Sequence, residues 1–124
     1  MPHITVDYTG NLADAFDRRG FATALHPLVA ELIDTKVEAC TTRFRRSDEY
    51  VLADGAPERA LVLVRAAILS GRTSEAKVRL SEAVLELLPK HLAPAPGIVV
   101  QTAVEVVDLD RTSYRSRTEP AGER

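Results

Sequence analysis

Tryptophan is absent, and cysteine occurs once, at Cys40. A lone cysteine cannot close a disulfide within the chain, which suits a reducing compartment; the expected location is cytoplasmic. Aromatic residues amount to only 5%, too few for the stacking platforms that hold single-stranded nucleic acid. Neither sign of charge dominates. Sixteen basic against eighteen acidic residues leave a net −2, so no basic face calls for nucleic acid or an anionic membrane. Long apolar runs are missing too. The longest, ALVLVRAAIL, is too short to span a bilayer and carries Arg65 in its middle. The amino terminus, interrupted by Asp7, lacks the apolar core of a secretion signal. His3, His26 and His91 share no metal-ligand spacing with one another or with Cys40, which argues against a zinc site. No G-x-S-x-G, phosphate loop or dinucleotide fingerprint occurs.

What is present fits a single domain over residues 1–124, with 45% apolar and 27% charged residues. HITVDY at 3–8 reads as a strand. Asn11 or Asp14 is the expected cap of a helix running from Asp17 to Ile33, whose face is Phe21, Leu25, Leu28, Leu32 and Ile33. Pro27 interrupts that pattern and predicts a kink or a boundary. A second strand is expected over 36–46, with Arg43 and Arg45 on one face and Arg46 on the other. YVLA, followed by the Asp54-Gly55 turn signal, predicts a hairpin strand. The run 60–69 is apolar on both faces and reads as a central strand covered on both sides. Thr73 or Ser74 caps a second helix with Ala76, Leu80, Ala83, Val84, Leu87 and Leu88 as its stripe, ended by Pro94 and Pro96. IVVQTAVEVV at 98–107 is the last strand, and a polar tail follows from about 108, wrapping loosely or docking on a partner.

The order is β-α-β twice, which builds an α/β (α+β) fold of one sheet with two helices on one face. The other face then needs a cover, and other subunits would supply it. The opening MPHITVDYTGNL admits two readings of Pro2. Proline is tolerated at the first residue of a strand. Proline is also small enough to permit removal of Met1, which would make Pro2 a free amino terminus.

PHITVDYTGNL, Leu25-His26, the ADG at 53–55, SGRTSEA and DLDRTSYR together resemble the 5-carboxymethyl-2-hydroxymuconate isomerase family of the tautomerase superfamily, over roughly residues 2–116. The resemblance implies a duplicated β-α-β fold, a homotrimer, and keto–enol isomerisation of an unsaturated 2-hydroxy di- or tricarboxylic acid in aromatic catabolism. It implies Pro2 as the catalytic base and no metal or organic cofactor. A prolyl amine is a rigid secondary amine whose pKa of roughly 8 falls on burial and near cations, towards the neutrality that proton shuttling needs. If Met1 stayed, that nitrogen would be an amide and no base.

Such a substrate is a small carboxylate, and arginine binds planar anions bidentately. Arg72, in a Gly-Arg loop before a helix, matches the family's arginine; the bland reading is a surface loop cation. On the second strand the family has an Arg-x-Arg pair. Here the first member is Thr41 and the second Arg43, with Arg45 on the same face as a compensating candidate. Intersubunit salt bridges are the bland reading of Arg43 and Arg45. Thr41 leaves the substrate open, so another proline-dependent reaction on this scaffold (hydration, dehalogenation or decarboxylation) is one alternative, and a non-catalytic ferredoxin-like module is another. His3 is expected to make a structural hydrogen bond, His26 to pack, and His91 to act as a helix-end cation.

Overall fold

Alternating burial sets the first strand, β1 (His3–Thr9). Ile4, Val6 and Tyr8 are buried, while His3, Thr5 and Asp7 face the other way and are only partly covered. The computed structural model describes residues 1–122. Helix α1 (Arg18–Leu32) follows a short 3-10 turn at Gly10–Leu12. Its cap is Asp17, not Asn11 or Asp14, because the Asp17 carboxylate accepts from the Gly20 amide at 3.0 Å. Phe21, Leu25 and Val29, four residues apart, are its buried stripe. Pro27 lies inside α1 rather than at a first-turn boundary, and it sits on the exposed side.

The second strand, β2 (Thr41–Ser47), starts five residues later than expected. Residues Val37–Ala39 form a 3-10 turn instead, closed by the Cys40 amide on the Val37 carbonyl at 3.0 Å. The cause is the burial of Cys40, whose thiol donates to the Lys36 carbonyl at 3.5 Å and the His26 carbonyl at 3.8 Å. That ties the segment beneath α1 before it can extend. The YVLA hairpin strand does not form: residues 50–52 carry no strand pairing, and Val51 is 81% exposed. Strand β3 (Arg59–Leu69) already has neighbours on both sides, which leaves a further strand no place beside it.

Helix α2 (Ser74–Leu87) is capped by Thr73, whose hydroxyl accepts from the Ala76 amide at 3.1 Å. Strand β4 (Val99–Leu109) completes one sheet of order β2-β1-β3-β4. β1 and β2 are parallel, β3 and β4 are parallel, and β1 and β3 meet antiparallel at the centre. Each parallel pair with its helix is one β-α-β unit, so the duplication expected from the pattern is present. Both helices cover the same face, where Ile4, Val6, Val62, Val64 and Ile68 pack with Phe21, Leu25, Leu80 and Val84. On the opposite face of β3, Leu61, Leu63 and Ala67 are half-buried and Arg65 is exposed, so no helix among the described residues covers that side.

The polar tail is less loose than its composition implied. β4 continues through Asp108 to Leu109. Beyond it, Asp110 Oδ1 accepts from the Thr112 amide at 3.0 Å and the Thr112 hydroxyl at 2.7 Å, a local turn. The segment docks on its own chain: Tyr114 Oη lies 2.6 Å from His3 Nε2. Residues 123 and 124 of the expected tail lie outside the described residues.

Candidate active site

The parallel ladder starts at the amino terminus. The Pro2 carbonyl accepts from the Thr41 amide at 3.1 Å, and Pro2 is buried at the mouth of β1. The α-amine of Met1, the residue before it, has a pKa held below its ordinary 8.0, first by burial and then by the positive charge of Arg72, with Arg111 a smaller contributor and Cys40 opposing. An amine so placed gives up its proton more readily than one in water.

Arg72 is brought there by the loop after β3. Gly71, at φ 116, takes a backbone conformation that side chains avoid, and so turns the chain tightly between β3 and α2. The Arg72 guanidinium then donates from Nη2 to the Ile33 carbonyl at 2.9 Å and from Nη1 to the Leu69 carbonyl at 3.2 Å. Ile33 is the C-cap of α1, so the guanidinium also meets the negative end of that helix. A brace of this kind holds the group rigidly and leaves its remaining N–H groups for an anion. Arg72, Arg111, Thr73, Ala76 and Asp34 line an open depression of about 410 Å³.

Arg43 and Arg45 stand elsewhere. Both lie on the uncovered face of the sheet, in register with Thr5 and Asp7, and Arg43 Nη2 is 3.5 Å from the Thr5 hydroxyl. Arg43 and Arg45 thus lie on the uncovered face, whereas the charge of Arg72 acts on the amine of Met1, next to buried Pro2. Thr41 heads that opposite face: its hydroxyl is 2.8 Å from His3 Nδ1, which completes a chain Thr41–His3–Tyr114. The pKa of His3 is lowered by burial, then by the amino terminus and Arg43. Its hydrogen bonds match the structural role expected of it.

His26 packs as expected, with Nε2 2.7 Å from the Thr42 hydroxyl and a pKa lowered by burial. It lines the largest depression, about 660 Å³ between α1 and β2, which also holds Arg18, Arg19 and Phe44. That cavity does not include Pro2 or Arg72, so volume alone does not mark the chemistry. His91, 3.8 Å from the Asp17 carboxylate, ends the 3-10 turn Leu88–His91 after α2.

One residue beside Arg72 was not legible in the sequence, Arg111. It falls in DLDRTSYR, a stretch noted for its resemblance but given no role. The signal was positional: a basic residue just beyond a strand parallel to β3 lands beside the loop that follows β3.

The model of the 5-carboxymethyl-2-hydroxymuconate isomerase family matches residues 2–115. The 5-carboxymethyl-2-hydroxymuconate Delta-isomerase of Escherichia coli is 27% identical over 93 residues, 75% of this chain and 74% of that one. The crystal structure of a 5-carboxymethyl-2-hydroxymuconate isomerase from Deinococcus radiodurans R1 aligns with a TM-score of 0.78 at 24% identity, covering 95% of this chain and 90% of that one. A fused 4-OT described as a symmetric trimer has the same tautomerase fold, with a TM-score of 0.67 at 21% identity over 89% of this chain and 87% of that one.

Proposed function

Because this chain belongs to the 5-carboxymethyl-2-hydroxymuconate isomerase family and is an isomerase, we propose that it interconverts the enol and keto forms of an unsaturated 2-hydroxy polycarboxylic acid, with Pro2 as the base. The family's own substrate, 5-carboxymethyl-2-hydroxymuconate, is the first candidate. Removal of Met1 frees the prolyl nitrogen. Its lone pair takes the proton of the 2-hydroxyl, electrons move along the conjugated chain, and the prolyl ammonium returns the proton to the far carbon of the diene. No net proton is gained or lost.

The observation that carries this reading is a buried Pro2 whose preceding amine feels the charge of the braced Arg72 guanidinium. Burial and Arg72 both disfavour the charged amine of Met1; the same surroundings are expected to act on the prolyl amine one residue on, and a base working near neutral pH needs that lowering. Arg72 binds a substrate carboxylate and stabilises the negative charge that develops on the dienolate oxygen. Arg43 and Arg45 join only through a subunit boundary, in a homotrimer like that of the fused 4-OT, with the uncovered sheet face turned inward. No helix among the described residues is long and apolar enough to cross a membrane, and the proposed location is the cytoplasm. Intact mass of the purified chain tests the first step: loss of Met1 supports the reading, and a fully retained Met1 in an active protein contradicts it.

A further inference from the structure

We propose that Arg111 is a second carboxylate-binding residue of this site, so that Arg72 and Arg111 grip a dianionic substrate across Gly71. This deepens the isomerase reading and rests on it for the identity of the substrate. The pairing of β3 with β4 ends at Leu69 and Leu109, and the Ser70 amide continues it onto the Leu109 carbonyl at 2.8 Å. The turn after β4 is thereby laid against the loop after β3. There the Arg111 amide donates to the Ser70 hydroxyl at 3.1 Å and its Nε to the Ser70 carbonyl at 2.8 Å. Backbone and side chain of Arg111 are thus anchored to one residue. Its guanidinium lies over Gly71, where an added Cβ would sit 3.8 Å from Nε and 3.9 Å from Nη2.

Nη1 and Nη2 of Arg111 take no partner among the described residues. Arg72 spends two donors on carbonyls and keeps its Nε–H unspent. Two guanidinium groups with spare donors therefore line one depression, against a single carboxylate there, Asp34. A ligand with two carboxylates matches two such cations, one carboxylate to each guanidinium. Both arginines also act by their charge on the amine of Met1, the residue before the proposed base. The polar segment after β4 thereby gains a role: its Asp110 turn and its Tyr114–His3 contact hold Arg111 in place.

The probes are trans,trans-muconate and sorbate, dienes of equal length that differ by one carboxylate. Binding of each is measured calorimetrically for wild type, Arg111→Ala and Arg111→Lys, with Arg111→Gln replacing alanine if the turn unfolds. A charge-assisted pair is worth at least about tenfold in affinity. Wild type should prefer muconate by that factor, Arg111→Ala should erase the preference, and lysine should restore part of it. A preference that survives in Arg111→Ala, or no preference in wild type, overturns the proposal. Enol turnover is assayed separately on the same samples. Lost preference in the variant without wild-type turnover keeps the carboxylate grip and removes the isomerase reading. Turnover with an unchanged preference does the reverse.

Discussion

Replacing Arg72 with alanine should do two separable things. The first is structural. The guanidinium spans the Ile33 and Leu69 carbonyls, tying the end of α1 to the end of β3. Hydrogen bonds from a charged donor contribute about 1.5 to 3 kcal/mol each. The two share one half-buried side chain, so the expected loss is about 2 to 3 kcal/mol rather than their sum. For a chain of this length that corresponds to a fall in Tm of roughly 10 °C. The second consequence is electrostatic. Arg72 is the leading charge that lowers the pKa of the Met1 amine, after burial, and the same charge is expected to act on the prolyl amine exposed when Met1 is removed. Without it the pKa climbs back towards 8.0. Since only the unprotonated amine is a base, the acid limb of kcat/KM moves to higher pH.

Linkage fixes the sign for stability. Between the lowered folded pKa and the unfolded value, the unfolded chain binds more protons, so wild-type stability falls as pH drops through that interval. In Arg72→Ala that fall should be smaller. Arg72→Lys keeps the charge without the two-carbonyl fork, so it should restore the pH limb more than the stability. The assays are pH profiles of kcat/KM and denaturant unfolding at a pH above and a pH below 8. If stability drops while the acid limb stays in place, Arg72 is only a brace for α1, and the argument for a tuned base fails.

Four further outcomes follow from the same contacts. Phe21→Ala, at a wholly buried ring packed between Phe16 and His91, should cost about 3 to 5 kcal/mol in urea unfolding. Asp17→Ala removes the α1 cap and should cost about 1 kcal/mol. Gly20→Ala pushes a methyl into that same carboxylate, so its usual helix gain of about 1 kcal/mol should emerge only on the Asp17→Ala background, read by a double-mutant cycle. Tyr114→Phe breaks the contact to His3 and should speed amide exchange over residues 110–114 with little effect on β1. Exchange there that matches wild type would mean the Ser70 contacts alone hold the turn.

The strands and helices legible in the letters were those whose pattern coincided with burial in a single layer. Ile4, Val6 and Tyr8 alternate, and Phe21, Leu25 and Val29 step by a helical turn, because one face of each meets one core. The errors came where a contact distant in sequence overrides local preference. KVEAC has strand-like letters, yet the Cys40 thiol is held under α1 by the Lys36 and His26 carbonyls. YVLA has strand letters too, but β3 has no vacant edge to receive it. Pro27 looked like a boundary because a ring in mid-helix is costly, and packing of α1 through Val29 outweighs that cost. Of the candidate site, the resemblance singled out Pro2 and Arg72; the structure buries the first and braces the second on two carbonyls. Arg43 and Arg45 share their sequence neighbourhood with Thr41 but, by strand alternation, face away from Arg72. Arg111 was hidden because a polar, turn-rich tail has no periodicity, and only the register of β4 against β3 sets it beside Ser70.

The most direct test of the proposed proline base compares Met-free wild type with Met-free Pro2→Ala, following enol-to-keto conversion of 5-carboxymethyl-2-hydroxymuconate by ultraviolet absorbance. The expected result is rapid conversion by wild type and a loss of about a hundredfold or more in a variant that folds normally, the range for removing a positioned general base. Equal turnover in the two proteins would take Pro2 out of the mechanism and leave its burial as a feature of folding alone.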